Sequence, residues 1–162
     1  KKLMSKLVII FLLFVFVGSG ENAVAQELPL PRFVSLKSAE ANVRKGPGLN
    51  YPIKWVLVRK NMPVEVIAEF EQWRRIRDID GEEGWVHRAM LNGSRSVTIQ
   101  GNAHTLYKNP GEDSQPIALI ESGVSAELIE CEEEWCRVEI NGYRGWVSRK
   151  SLWGIYPDEI IN

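Results

Sequence analysis

Histidine and cysteine are scarce in this sequence, with two of each among 162 residues. His87 and His104 have no partner at a spacing that suggests a metal site or a catalytic dyad. Cys131 and Cys136 lack the histidine pair or second cysteine pair that would complete a zinc site. Gly46-Pro47-Gly48 is not followed by the Lys-Ser/Thr step and helix of a phosphate loop. Positive charge is not in excess either. The chain carries a formal net charge of −1, and about −3 without residues 1–25, so nothing in it matches a nucleic-acid backbone. These absences argue against an enzyme and leave no catalytic residue, cofactor or metal to assign.

A long apolar run is missing everywhere except the N-terminus. There, Lys1, Lys2 and Lys6 precede an unbroken apolar stretch from Leu7 to Val17, and Ala23-Val24-Ala25 follows. The stretch is short of the ~20 residues a bilayer span needs, and the small-x-small pattern suits signal peptidase. Residues 1–25 therefore read as a cleaved signal peptide. The protein is expected to be periplasmic or secreted, with no membrane association after cleavage.

Helical periodicity is absent beyond Ala25, and what replaces it is a repeat. Trp73 to Leu91 and Trp135 to Leu152 keep step at a spacing of about 61 residues, apart from one residue inserted before Gly81. Each copy holds an alternating run, Val64 to Phe70 and Ala126 to Cys131, that predicts half-buried strand. Each also holds a hairpin signal, Asp80-Gly81 and Asn141-Gly142, because Asn or Asp followed by Gly tolerates positive φ. The chain is expected to be all-β, with two small units at 32–92 and 97–155 joined through Asn92 to Ser96. Units of this size bury only about 60% of their unfolded surface, so the two should touch.

The run Ala41-Asn42-Val43-Arg44-Lys45-Gly46-Pro47-Gly48-Leu49-Asn50-Tyr51-Pro52 resembles the opening signature of the bacterial SH3-like (SH3b) family, and Gly84-Trp85-Val86 resembles its closing one. The pairing with a second copy bearing Cys and Trp-Cys resembles the secreted tandem type of alphaproteobacterial SH3 domain-containing proteins. This resemblance implies two tandem SH3-like β-barrels. It also implies a binding or scaffolding role in the cell envelope, toward a peptide in peptidoglycan or on a partner protein. The second copy departs from the signature, with His104 to Gly111 where the Asn-Val-Arg-x-Gly-Pro run would stand.

Period-two reading of the strand at Trp73 places Trp73, Arg75 and Arg77 opposite Ile76. If Ile76 points inward, Trp73 points out beside two arginines. An aromatic flanked by guanidinium groups suits a peptide or an acidic wall fragment. Tyr51 and Trp55 would extend this surface, making Tyr51, Trp55, Trp73 and Arg75 the candidate ligand residues. The alternative is a structural accessory whose large rings are buried between the modules. Trp85 and Trp146 read as core residues, and Asn42 as the cap of the Gly46-Pro47 loop.

Cys131 and Cys136 flank the position of a hairpin loop in a chain expected to enter an oxidising compartment, so a disulfide is expected between them. That pairing would consume the thiolate a Cys-His hydrolase needs. Charge is shared unevenly, about +3 in the first unit and about −4 in the second. This distribution would aim the first unit at acidic polymer or draw the two units together.

Overall fold

The computed structural model describes residues 27–162, so the expected signal peptide lies outside the described residues. The first part of the chain forms β1 (Arg32–Leu36), β2 (Ala41–Arg44), β3 (Ile53–Leu57), β4 (Pro63–Phe70), β5 (Trp73–Arg77), β6 (Glu83–His87) and β7 (Leu91–Asn92). A 3-10 turn, Arg88–Met90, precedes β7. The second part forms β8 (Ser96–Ile99), β9 (His104–Tyr107), β10 (Pro116–Ile120), β11 (Ser125–Cys131), β12 (Trp135–Ile140), β13 (Tyr143–Ser148) and β14 (Leu152–Trp153). Here too a 3-10 turn, Arg149–Ser151, comes before the last strand.

Each part is a 7-stranded antiparallel sheet. The strand orders are β3-β2-β6-β5-β4-β1-β7 and β10-β9-β13-β12-β11-β8-β14, the same order twice. The sequence repeat is thus a repeat of topology, and the fold is all-β with two tandem SH3-like modules. Each sheet bends round its own core, leaving β3 and β10 as end strands with one partner each. Val43, Val64, Val66, Ile76 and Val86 fill the first core, and Val97, Ile99, Leu106, Val138 and Val147 the second. The bend has a local cause. A register shift interrupts the long strand of each module at the matching place, between Val66 and Ala68 in β4 and between Leu128 and Glu130 in β11. An unpaired residue at such a bulge increases twist and turns the strand.

The two hairpin signals resolve differently. Asn141 and Gly142, with φ of 50° and 83°, stand alone between the paired residues Ile140 and Tyr143, a tight turn of the primed kind. In the first module the extra residue enlarges the loop to Asp78–Glu82. The buried Asp78 organises it, its Oδ1 accepting from the amides of Asp80 at 3.0 Å and Glu82 at 2.9 Å.

Trp85 and Trp146 do not enter the cores. Gly84 and Val86 face inward, as do Gly145 and Val147, so parity puts both tryptophans on the outer surface, half-buried. The glycine dictates this arrangement. A Cβ at Gly84 would lie 2.4 Å from Val43 Cγ1, and one at Gly145 would lie 2.6 Å from the Tyr107 carbonyl oxygen. Only Gly lets these strands approach so closely.

The modules touch through strands buried on both faces. Alternate residues of β1 and β8 serve the cores, while Phe33, Ser35, Ser96 and Thr98 lie on the opposite faces and are buried as well. Ser35 Oγ meets Ser96 Oγ at 2.6 Å. Phe33 packs edge-on against Trp153 at 5.1 Å and beside Tyr156 at 4.8 Å. The Tyr156 hydroxyl donates to Glu65 Oε1 at 2.8 Å.

Candidate functional site

Positions of strand pairing place a cationic cluster on the outer face of the first module. β5 pairs with β6 so that Trp73 opposes His87, Arg75 opposes Trp85 and Arg77 opposes Glu83, while Arg44 of β2 meets Trp85 from the other side. Since Gly84 and Val86 face the core, all of these partners share the outer surface. Lys45, Lys54, Arg75, Glu83 and Trp85 line one hollow there, of about 450 Å³.

Glu83 is the only acid lining that hollow, and it is already engaged. It accepts from Arg75 at 2.7 Å and from Arg77 Nη2 at 2.7 Å, and its backbone oxygen takes the Lys54 ammonium at 2.7 Å. The hydrogen bond from Arg77, followed by the charge of Arg75, holds the Glu83 carboxyl below the usual carboxylate range. Arg75 is nonetheless about half exposed, so it keeps donors free toward solvent. A half-buried indole ring beside three basic side chains can take an apolar group and a carboxylate at once.

The four residues singled out from sequence do not form one patch. Arg75 lies in the hollow just described. Trp73 keeps the strand face expected of it but is only 8% exposed, which overturns its expected outward presentation. Its ring meets His87 edge-on at 5.4 Å, in a hollow shared with Leu49 of the preceding loop and Met90 of the 3-10 turn. Parity fixes the side of a sheet, whereas cover from elsewhere in the chain decides exposure. Trp55 lies on a third surface, the cleft between the modules. It is half-buried against the first core, and its indole N–H is shielded from solvent and without an acceptor. Lys54 sits over that ring at 5.0 Å.

Tyr51 packs on the loop of the family signature, where a Cβ at Gly46 would come within 2.4 Å of its ring. Arg44, rather than Asn42, fastens this loop, donating to the carbonyls of Leu49 at 3.2 Å and Tyr51 at 2.9 Å. Sequence reasoning assigned Trp85 to the core and so missed it as a surface residue. The Gly-x-Val alternation around it was the available signal.

The second module builds the same face differently. Trp146 opposes Arg137 and Tyr107, and Tyr107 meets Trp135 edge-on at 5.8 Å. Arg137 is paired with Glu130 and Arg144 with Glu139. Cys131 and Cys136, opposed across the β11–β12 hairpin, form the expected disulfide.

A family model described as the bacterial SH3 domain matches residues 37–93 and again residues 100–154. Among curated proteins, a putative N-acetylmuramoyl-L-alanine amidase of Bacillus subtilis (strain 168), YrvJ, is 28% identical over 120 residues. That match takes in 67% of this chain and 23% of the amidase. Among solved structures, NlpC2 and NlpC1 from Trichomonas vaginalis align at 15% and 13% identity, with TM-scores of 0.36 and 0.35. They cover 78% and 79% of this chain, which spans 49% and 47% of theirs. An NlpC/P60 family protein from Bacillus cereus ATCC 10987 aligns at 13% identity and a TM-score of 0.34, over 75% of this chain and 55% of that one. The chain thus spans under a quarter of its curated relative and about half of each solved chain.

Proposed function

Because the chain belongs to the bacterial SH3 domain family, through two copies of that domain, we propose that it is an exported, non-catalytic binding protein of the cell envelope. Its first module recognises an acidic peptide, either in peptidoglycan or on an envelope protein. The observation that carries this reading is the hollow in which Lys45, Lys54 and Arg75 converge on Trp85. A ligand carboxylate would compete with Glu83 for Arg75, and the exposed edge of Trp85 would take its apolar part. Of the four residues expected from sequence, Arg75 is the direct contact. Tyr51 and Trp73 support the loop and strand around it, and Trp55 backs Lys54.

Kinship with a putative wall amidase supports the choice of ligand class. The non-catalytic reading is supported by both matched segments being the bacterial SH3 domain and by both cysteines being disulfide-bonded. The competing idea, a structural accessory whose large rings are buried between the modules, has support of its own, because Phe33, Trp153 and Tyr156 form the contact there. What favours a ligand site is the separate hollow at Trp85, which that contact does not use.

Retention on purified sacculi tests the proposal. The Lys54→Ala/Arg75→Ala double variant should lose about tenfold in retention, the equivalent of one charge-assisted hydrogen bond. Retention equal to wild type would remove the proposed site.

A further inference from the structure

A second surface, separate from the cationic face, lies in a cleft of about 510 Å³ between the modules. One wall is the unbroken run from Trp55 to Arg59, and the other is Thr98 to Gly101 with Ser122 and Gly123. Arg59 Nη1 ties the walls together by donating to the Gly123 carbonyl at 2.6 Å. Asp78 and Asp80 close one end.

The first wall is the free edge of a sheet. β3 pairs only with β2, so alternate amides and carbonyls on its other side have no strand to bond. Val56 stands on that edge, 42% exposed, and Val58, 70% exposed, continues the line just past the end of β3. The facing wall also includes Ser125, and the Thr98 and Ser125 hydroxyls bond each other at 2.9 Å. The Ser35–Ser96 and Tyr156–Glu65 hydrogen bonds hold the modules at fixed spacing, so the cleft exists before anything enters it.

We infer that this cleft is a second binding site, which takes an extended polypeptide segment as an added strand along β3. Its apolar side chains lie on Val56 and Val58, and an amino group points toward Asp80. Only an extended backbone supplies donors and acceptors at the repeat that a strand edge presents. At about 3.3 Å per residue, the run from Trp55 to Arg59 accommodates roughly five residues of ligand. The end strand of a second copy would bring its whole sheet into a space already walled by Thr98–Gly101. Exposed Asp80 beside Asp78 selects a cation at that end, whereas the Trp85 face selects an anion. The inference does not rest on the proposed cationic site, since the cleft has none of the lining residues of that hollow and the two share only Trp55, which backs Lys54.

A capped peptide of alternating Val and Lys, titrated into the isotope-labelled full chain, tests it by NMR. The expected result is saturable shifts and slowed amide exchange along Ile53–Leu57 and at Thr98–Gly101, with the Trp85 indole resonance unmoved. Of the two registers of alternate N-methylation, the one that blocks the amides facing β3 should bind at least about tenfold more weakly, because every ladder donor on that side is gone, while the other should bind as the parent peptide does. Ser122→Trp, an exposed turn position, should block binding while leaving the spectrum folded. The inference is overturned if the peptide leaves β3 unshifted, if it moves the Trp85 face instead, if neither N-methylated register weakens binding, or if Ser122→Trp leaves binding unchanged.

Discussion

Gly84 and Gly145 show how much of the fold hangs on single atoms. Each sits where the last long strand of its module comes against the second, and each fixes the side to which the following tryptophan points. Their neighbours differ, however. A Cβ at Gly84 has one contact under 3.0 Å, with a Val43 methyl at 2.4 Å, and the Arg44 carbonyl oxygen at 3.0 Å, whereas at Gly145 it meets the Tyr107 carbonyl oxygen at 2.6 Å and Leu106 at 2.7 Å. Gly84→Ala should therefore cost about 1 kcal/mol and Gly145→Ala about 3 kcal/mol, read from urea denaturation midpoints. Equal losses, or none, would contradict this account of the strand approach. At this scale the sequence was readable where the cause was local. The Cys131–Cys136 pair and the Asn141-Gly142 turn depend on neighbours in the chain. The exposure of Trp73 depends on Leu49 and Met90, brought over it by the rest of the module, and strand period alone misled.

β12 was legible because one face meets a core and the other is more open to water, and so was the end of β4, although Pro63 to Val66 are all buried. β1 and β8 were not, since both of their faces are buried and the alternation of Phe33-Val34-Ser35-Leu36 serves two different contacts. The C-terminal tail was illegible for another reason. It has no period, yet Ile161 exchanges both backbone hydrogen bonds with Cys131, and the buried Arg149 donates to the carbonyls of Glu132, Tyr156, Pro157 and Glu159. The disulfide hairpin is thus the dock for the tail. Closing so small a loop contributes about 2 kcal/mol in the chain-entropy model. Reduction should lower the second module's stability by that amount and speed amide exchange at Cys131 and Ile161, with the first module's amides unaffected. Unchanged exchange at Ile161 would show that the tail is held without the disulfide.

For the whole molecule, two titrating groups of the tail bound the pH range of the tandem contact. Hydrogen bonding from Arg95 holds the Glu159 carboxyl below its ordinary 4.5. Its stabilisation is present in full above that value and lost as pH falls through the lowered one. Burial, reinforced by the hydrogen bond to Glu65, raises the Tyr156 phenol above its ordinary 10.0. A neutral phenol is favoured in the folded state, so that contribution is complete below pH 10 and lost as pH rises through the raised value. Fluorescence of Trp153, which packs with Phe33 beside Tyr156, should be constant across the neutral range and change at both extremes. A change centred near neutrality would contradict the assignment, because neither group titrates there.

Two modules of one topology have diverged in charge and in surface chemistry, and the proposed wall recognition belongs to the first alone. The six indole N–H resonances of the full chain allow this to be read in one titration with soluble acidic muropeptide. The Trp85 signal should move saturably, Trp146 should stay in place, and Arg75→Ala should abolish the movement. Movement of Trp146 without Trp85, or a Trp85 shift that survives Arg75→Ala, would contradict the assignment of binding to the cationic face of the first module.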